Sequence, residues 1–366
     1  MENLKKKWNN GGNEKYGYVG PDGNWLIEPR FDDAEDFCEG FARVEIGWRW
    51  GFIKPDGSWL VEPRFDDVED FEDGIALASV ERRYGFINTD GEWLSEPKFD
   101  RVELLNDGLA GAILNDKILD SPWYLIRRDG SLLVDREFDS ISDFVEGIIR
   151  VEVDYKYGYV GRDGTILAEP VFDDADNFKD GIARVKFNGK YGYLKADGTY
   201  FIEPKYDYLS NFSEGAAAVK RGDKFGFIGP DEVYLVEPRF DDLDDFHQGV
   251  ARVKVGKKWG FIKPDGSWLV EPRFDDADSF HEGLARVKVG KKWGYITRDG
   301  AWLIEPRFKA ACNFIYGHAT VMVGQKWGFI KPDGSWLVEP KFKDGEYVKI
   351  GNRVGFLYSD GHLSWD

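Results

Sequence analysis

Acidic side chains are the most abundant candidates for chemistry in this chain. The segment RFDDADSFHEG (273–283) carries Asp275, Asp276, Asp278 and Glu282, and similar segments recur along the sequence. A calcium ion takes about six to eight oxygen ligands in a bent loop, but this spacing matches neither an EF-hand loop nor a calcium-binding nonapeptide. Catalysis requires one differentiated site, whereas these carboxylates recur in nearly every copy. We therefore interpret them as structural and solubilising residues, with calcium binding as the alternative.

The other reactive side chains do not form a recognisable catalytic motif. Two of the four histidines, His247 and His281, occupy the same position 34 residues apart, and there is no H-E-x-x-H sequence. The two cysteines, Cys38 and Cys312, lie too far apart for metal-type spacing. Neither a G-x-S-x-G sequence, a P-loop nor a dinucleotide fingerprint is present. The sequence thus predicts no catalytic residue, no metal ligand and no cofactor, and we expect the protein not to be an enzyme.

Aromatic side chains are the best candidates for binding. They recur in two columns, one in the phrase SWLVEP and one in the phrase KWGFI. Exposed rings in such columns could stack on sugars or grip a peptide, whereas buried rings would act as spacers between repeats. An irregular middle, residues 111–130, adds two rings at a place that occurs only once. The predicted binding residues are Trp25, Trp59, Trp93, Trp268, Trp302 and Trp336 in the first column, Trp50, Trp259, Trp293 and Trp327 in the second, and Trp123 and Tyr124 in the irregular middle.

The elements that must position these rings are tandem repeats. The glycine of the W-G or Y-G pair recurs every 34 residues, apart from one longer gap between Gly85 and Gly158. This gap contains a degenerate copy in which Tyr124 replaces the glycine, and a last, shortened copy carries Gly355. A turn aspartate, such as Asp265 in KPDGSW, is present in every copy. The chain therefore contains ten repeats and a final partial one.

Each repeat is predicted to be a three-stranded meander. In the copy 284–317, LARVKV alternates apolar and polar residues, which indicates a strand. A two-residue loop at Gly290–Lys291 follows, so Val287 is expected opposite Gly294. The third strand is AWLIE, and Pro306 is predicted to end its pairing because proline has no N–H to donate. Both faces of the meander are half apolar, so we expect each face to pack against a neighbouring repeat.

Two further positions have predicted structural roles. The aspartates of the connector suit the start of a single helical turn, and the phenylalanines Phe274 and Phe280 would hold this connector against the core. The glycine of the W-G pair is predicted to leave room for the tryptophan on the next strand, as Gly260 would for Trp268.

The recurring phrases resemble those of a known family. The order [KR]-[WYF]-G-[FY]-[IV]-x-x-D-G, then E-P-x-[FY]-D, then F-x-[ED]-G-x-A-x-V is similar to the WG repeats, or KWG repeats, of bacterial proteins, and it covers residues 15–366. The resemblance implies a β-rich repeat protein and no particular activity. The fourth repeat departs most, because it lacks both the W-G glycine and the E-P pair.

The expected fold class is all-β, an open curved superhelix or solenoid of about ten three-stranded repeats, with a closed propeller-like ring as the alternative. No strand is left over at either end to complete a ring, and ten blades exceed the ~4–8 that are usual for propellers. The predicted divisions are an N-terminal cap segment (1–14), repeats 1–3 with an insertion (15–122), the degenerate repeat (123–155), repeats 5–9 (156–325), and repeat 10 with a capping partial repeat (326–366).

Charge narrows the range of partners. The net charge is −18, so phosphate backbones and anionic membranes are repelled, and we expect neither nucleic-acid binding nor membrane insertion. The N-terminus lacks an apolar signal region and no apolar run approaches membrane length, which favours a cytoplasmic location. The leading interpretation is a non-catalytic scaffold that binds a protein or peptide. A glycan- or cell-envelope-binding module is the second, and an enzyme with a site in the irregular middle is the third.

Overall fold

A computed structural model describes residues 5–9, 15–105, 108–114, 121–350 and 353–365. All the regular structure in these ranges is β-strand, arranged in eleven sheets. The predicted all-β class and the tandem array of β-sheet repeats are therefore confirmed. In the described part of the chain there is no helix of the length and apolar character that crossing a membrane requires. Of the predicted cap segment 1–14, only residues 5–9 are described, and they form the first strand.

Forty-two strands make up the described structure. The first half of the chain contains β1 (Lys5–Asn9), β2 (Lys15–Val19), β3 (Trp25–Phe31), β4 (Asp33–Ala34), β5 (Ala42–Ile46), β6 (Arg49–Ile53), β7 (Trp59–Phe65), β8 (Asp67–Val68), β9 (Ile75–Val80), β10 (Arg83–Asn88), β11 (Trp93–Phe99), β12 (Arg101–Leu104), β13 (Leu109–Ile113), β14 (Trp123–Arg127), β15 (Leu132–Phe138), β16 (Ser140–Val145), β17 (Ile148–Val153), β18 (Lys156–Gly161), β19 (Ile166–Phe172), β20 (Asp174–Ala175), β21 (Ile182–Phe187), β22 (Lys190–Lys195) and β23 (Tyr200–Tyr206). The second half contains β24 (Tyr208–Leu209), β25 (Ala217–Arg221), β26 (Lys224–Ile228), β27 (Tyr234–Phe240), β28 (Asp242–Leu243), β29 (Ala251–Val255), β30 (Lys258–Ile262), β31 (Trp268–Phe274), β32 (Asp276–Ala277), β33 (Leu284–Val289), β34 (Lys292–Thr297), β35 (Trp302–Phe308), β36 (Ala310–Ala311), β37 (Ala319–Val323), β38 (Lys326–Ile330), β39 (Trp336–Phe342), β40 (Glu346–Ile350), β41 (Arg353–Leu357) and β42 (Leu363–Trp365).

The chain divides into two compact units. Unit 1 comprises residues 1–188 and 193–201, and unit 2 comprises residues 189–192 and 202–366. Both contain the same kind of sheet, in which four strands that are consecutive in sequence pair side by side, as in β28-β29-β30-β31. The first sheet (β1-β2-β3) and the last sheet (β40-β41-β42) have only three strands each. A repeat is thus the predicted meander with a short additional strand at one edge.

That additional strand corrects the prediction for the connector, which does not form a helical turn. Asp276 and Ala277 pair with Lys288 and Val287 as the edge strand β32. A tight turn follows, in which Glu282 and Gly283 both have positive φ. The edge strand forms because the first residues after the bulged third strand already lie beside the next meander, where their backbone groups find partners. The two connector phenylalanines, Phe274 and Phe280, are buried as predicted.

The hairpin register agrees with the prediction. Val287 lies opposite Gly294 and Arg286 lies opposite Tyr295, so the loop between β33 and β34 has two residues. Its first residue, Gly290, has a φ of +61°, which glycine adopts without the steric penalty that a Cβ atom would bring.

The predicted effect of the E-P proline is wrong, because the third strand continues through it. β35 runs from Trp302 to Phe308 and includes Pro306. Trp293 pairs with Phe308 and Tyr295 pairs with Ile304, so two residues of one strand oppose four of the other. The proline lies in the bulge that this mismatch creates, where a missing N–H breaks no ladder hydrogen bond.

The bulge also corrects the predicted role of the W-G glycine. A Cβ atom on Gly260 would lie 2.6 Å from the carbonyl oxygen of Val270, 2.8 Å from the nitrogen of Pro272 and 3.0 Å from the carbonyl carbon of Glu271. The glycine therefore makes room for the bulged backbone of the next strand rather than for the ring of Trp268. The same backbone contact recurs at Gly17, Gly51, Gly85, Gly158, Gly192, Gly226, Gly294 and Gly328.

The hydrophobic core lies between successive repeats. One cluster in unit 2 joins Phe261, Phe274 and Phe280 of one repeat to Val287 and Ile296 of the next. One face of each meander thus packs against the opposite face of its neighbour. This agrees with the prediction made from the two half-apolar faces of the meander. Each repeat buries its rings only by stacking, which explains why the phrase recurs.

Candidate functional site

The first connector aspartate joins two successive repeats. Asp275 accepts a hydrogen bond from the ammonium group of Lys258 at 2.5 Å and another from the backbone N–H of Gly290 at 2.7 Å. The Lys258 ammonium and the Gly290 N–H lower the pKa of Asp275 below its usual value. The aspartate therefore joins the start of the second hairpin strand to the hairpin loop of the next repeat, and this contact favours the structural interpretation of the acidic connectors.

The last connector carboxylate joins neighbouring repeats. Glu146 accepts hydrogen bonds from the backbone N–H groups of Asp180 and Gly181, at 2.7 and 2.9 Å. These two amides belong to the same tight turn one repeat later, and their positive φ values point both N–H groups to one side. The arrangement recurs at Glu39 in unit 1 and at Glu214 in unit 2. Among the described residues, no three His, Cys, Asp or Glu side chains form a group that could hold a metal ion.

The first aromatic column lies between repeats and is half-buried. The ring of Trp302 meets the ring of Phe274 of the preceding repeat edge-on, with centroids 5.8 Å apart. The guanidinium of Arg273 lies 5.7 Å from the centroid of Trp302. Trp59, Trp93, Trp268 and Trp336 make the same edge-on contact with the preceding phenylalanine. Trp25 is also half-buried, with the ammonium of Lys7 5.4 Å from its centroid. These rings act as spacers and expose only part of their surface.

The second column is covered by cations. The guanidinium of Arg252 lies 4.1 Å from the centroid of Trp259, which is buried. Trp327 is also buried, and its indole N–H donates to Asp344 at 2.6 Å. Trp50 and Trp293 are half-buried beneath Arg43 and Arg286, respectively. Trp259 and Trp327 therefore present no open ring face to a ligand.

The irregular middle lies between β13 and β14, where other repeats have a two-residue loop. The structure describes residues 114, 121 and 122 of this connection, and residues 115–120 lie outside the described residues. Trp123 is half-buried with the guanidinium of Arg101 5.1 Å from its centroid. The Tyr124 hydroxyl donates a hydrogen bond to Glu137, and this bond raises the pKa of the phenol.

Two almost fully exposed rings lie in the equivalent loops of nearby repeats of unit 1. Trp48 is 87% exposed and Tyr155 is 88% exposed. Each is the second residue of a two-residue hairpin loop, with φ values of +64° and +59°. A bulky L-residue rarely adopts this left-handed conformation, which glycine or asparagine usually provides. We call the described residues of four connections, between β5 and β6, β9 and β10, β13 and β14, and β17 and β18, the hairpin edge of unit 1. These residues are 47–48, 81–82, 114, 121–122 and 154–155.

Unit 2 contains a pocket of about 450 Å³ near the end of the chain. The last connector contributes Cys312, Ile315 and Tyr316, and the turn of the final partial copy contributes Asp360 and His362. The Cys312 thiol donates a weak hydrogen bond to the carbonyl oxygen of Asp360 at 3.6 Å. Burial raises the pKa of this thiol to about 11, so it is protonated and unreactive at neutral pH.

The family is decided by the repeated match along the chain. The family described as WG containing repeat matches ten successive segments, at residues 16–47, 50–82, 84–117, 125–157, 157–191, 191–225, 225–259, 259–293, 293–327 and 327–348. The chain belongs to the WG-repeat family. No curated protein matches the sequence at a significant level.

Solved structures resemble this WG-repeat chain only distantly. A crystal structure of a eukaryotic initiation factor is 10% identical with a TM-score of 0.33, and the match covers 84% of this chain and 96% of that one. Hsv2p of Kluyveromyces lactis is 8% identical with a TM-score of 0.27, over 63% and 91% of the two chains. The extracellular domain of the hybrid two-component system BT3049 of B. thetaiotaomicron is 10% identical with a TM-score of 0.27, over 96% and 65%. Scores this low carry no functional argument.

The WG-repeat geometry shows which features sequence reasoning missed. The predicted columns are distributed along the whole array and do not converge on one site, and the terminal pocket was not anticipated. The sequence feature that could have indicated this pocket is the shortened last copy, which lacks a connector. The signal for the exposed rings was an aromatic residue inside a two-residue loop, as Trp48 in IGWRW and Tyr155 in VDYKY.

Proposed function

We propose that this protein is a non-catalytic WG-repeat scaffold that binds a protein partner over the hairpin edge of unit 1. The observation that carries the proposal is the exposure of Trp48 and Tyr155 in left-handed backbone conformations. An L-residue in this conformation costs about 1–2 kcal/mol, and neither ring regains that energy by burial within the chain. A strained residue whose side chain is not buried within the fold is a candidate for a functional role.

The chemistry of these rings fits a protein interface. Tryptophan and tyrosine are enriched among the few residues that dominate binding energy, and truncating such a residue costs at least about 2 kcal/mol of affinity. In the sequence, two further hairpin connections lie between Trp48 and Tyr155. One is the two-residue loop 81–82, and the other is the longer connection between β13 and β14. Two anchors on different repeats provide a surface that a single repeat could not offer.

The test compares variants that differ only in hairpin loops. Glycine suits the backbone at both positions, so the double variant Trp48→Gly/Tyr155→Gly should fold at least as stably as the wild type. Asn188→Gly is the matched control, because Asn188 lies in a two-residue hairpin loop outside the hairpin edge, with a φ of +49° and an exposed, non-aromatic side chain. A partner recovered by affinity capture would be purified and titrated against all three proteins.

We expect the double variant to lose at least about 30-fold in affinity, which corresponds to the 2 kcal/mol of a single anchor, while Asn188→Gly stays within about threefold. Equal affinities for the wild type and the double variant would refute the hairpin edge as the interface. The alternative, a glycan-binding module, would be supported instead if binding to a polysaccharide array, rather than to protein, depends on the two rings.

A further inference from the structure

Each connector inside unit 2 is covered by the connector that follows it. The Ser213 hydroxyl donates to the carbonyl oxygen of Phe246 at 2.8 Å, one repeat later. The guanidinium groups of Arg252 and Arg286 donate to the carbonyl oxygens of Ala277 and Ala311 in the connector ahead of them. The following connector thus supplies main-chain carbonyl groups that accept hydrogen bonds from the connector and the first meander strand of the preceding repeat.

The following connector also supplies a phenylalanine ring. Phe280 lies in one core cluster with Val250, and Phe314 lies in one cluster with Leu284. Val250 and Leu284 occupy the position of His318 in their repeats. An interior connector is therefore completed by an extended segment that carries an aromatic ring next to this position.

The last connector, residues 309–317, has no successor. Phe342 is followed by Lys343, Asp344 and Gly345 and then at once by β40, so the segment that would cover it is missing. The turn at Gly361 in the final copy fills part of the position that a following connector would occupy. It packs so closely there that a Cβ atom on Gly361 would lie 2.8 Å from the Cys312 sulfur. The pocket of about 450 Å³ is what stays open beside this turn. Its size falls within the ~300–1,000 Å³ that is usual for ligand sites.

The side chains around this vacant place differ from their interior counterparts in charge. Cys312, Tyr316 and Thr320 stand where the preceding repeat has Asp278, Glu282 and Arg286. All three replacements are uncharged, and the neighbouring Ile315 and Tyr316 are 53% and 73% exposed. The pocket lining also includes one cation, Arg286, and one carboxylate, Asp360. A terminal repeat that only had to meet water would be expected to present a polar outer face.

We propose that this pocket is the vacated place of the missing connector and binds an uncharged, aromatic-containing peptide segment of a partner protein. The segment lies along residues 312–316 and places its ring beside His318, as the following connector does in the interior repeats. Thr320 offers no guanidinium to a carboxylate, and the charged lining residues Arg286 and Asp360 are of opposite sign, which favours an uncharged segment over an acidic one such as 275–283. This site lies in unit 2 and does not depend on the hairpin edge of unit 1.

The experiment uses the full chain and three short peptides, measured by fluorescence anisotropy. The first, KAASNFIYG, copies residues 309–317 with serine in place of Cys312; the second replaces its phenylalanine by alanine; the third, DDADSFHEG, copies the acidic segment 275–283. We expect the first peptide to bind in the micromolar range and the other two at least tenfold more weakly. Equal binding of the alanine peptide, or no binding of the first peptide at millimolar concentration, would overturn the proposal.

Two variants locate the site. Tyr316→Ala removes an exposed side chain and should weaken the first peptide about tenfold without affecting folding. Thr320→Arg restores the interior cation and should shift the preference toward the acidic peptide. Tyr155→Gly alters the hairpin edge of unit 1 and should bind the first peptide as tightly as the wild type does. Failure of the peptide site in unit 2 is therefore distinguishable from failure of the proposed function. If free phenylalanine amide binds as tightly as the peptide, the pocket is a small-molecule site. If the protein self-associates and the peptide inhibits this, the occupant is a second copy of the chain. Either result would contradict the proposal.

Discussion

The bulge beside each W-G glycine makes a specific prediction for Gly260→Ala. The added Cβ atom would lie 2.6 Å from the Val270 carbonyl oxygen, whereas ordinary contact begins at 3.4 Å. The two strands must therefore separate by roughly 0.8 Å, which is the difference between these distances. Both contacting groups belong to the backbone and neither can rotate away, so the effect should be near the upper end of the ~1–3 kcal/mol that overpacking costs.

The measurement is hydrogen exchange of β30 and β31, combined with urea unfolding. In a repeat array the loss is expected first in the altered repeat and its neighbours, since each repeat contacts only those next to it. Gly161→Ala is the matched control: the only atom closer than ordinary contact to its Cβ atom would be a carboxylate oxygen of Asp163 at 3.2 Å, on a side chain that can move. We expect the control to lose less than about 1 kcal/mol.

A double variant distinguishes the backbone explanation from the one that the sequence suggested. If Gly260 made room for the ring of Trp268, then Trp268→Ala should relieve the effect of Gly260→Ala. The backbone contact predicts instead that the two losses add to within about 0.5 kcal/mol. Full relief in the double variant, or an unchanged urea midpoint for Gly260→Ala alone, would refute the reasoning.

Three further predictions concern the carboxylates and the terminal thiol. Glu146→Gln removes the charge from an acceptor of two turn amides, so amide exchange at Gly181 should accelerate about fivefold, the equivalent of 1 kcal/mol; unchanged exchange would exclude the repeat-to-repeat contact. The Ser267 hydroxyl and N–H lower the pKa of Asp265 below its usual 3.8, so its contribution to stability is present above pH 3.8 and is lost as the pH falls through the lowered pKa; an NMR titration should show this pKa rising toward 3.8 in Ser267→Ala. Because burial raises the pKa of Cys312 to about 11, its alkylation at pH 8 should be slow in the folded protein and fast in denaturant; equally fast labelling would contradict the enclosed thiol.

Local signals in the sequence were sufficient for the first hairpin of each repeat and its register. Alternation in LARVKV and the two-residue loop at Gly290 place Val287 opposite Gly294, and the structure has this pairing. Hairpins depend on residues that are close in sequence, so the pattern contains the information that decides them. The turn aspartates follow the same logic, since Asp265 accepts a hydrogen bond from the N–H of Ser267 two residues later, as an Asx turn requires.

The bulge and the edge strand could not be predicted in this way. Pro306 alone indicates only a missing donor, and whether a strand stops or bulges there depends on the backbone beside it. The edge strand β32 exists because the connector lies against the meander of the next repeat, a contact that short-range patterns do not encode. The half-burial of the tryptophan columns has the same origin, because Trp302 is covered by Phe274 of another repeat.

The sequence by itself determined the repeat period, the all-β class, the hairpins and the family, because each is expressed in residues a few positions apart or in the recurrence of a phrase. Only the tertiary structure decided which aromatic rings are spacers and which are open. Exposure of Trp48 and Tyr155, and the vacant place beside Cys312, follow from how repeats stack and from where stacking ends. Burial depends on the neighbouring repeat, and in an array of nearly identical copies the positions that differ are the ones whose neighbour is missing or altered.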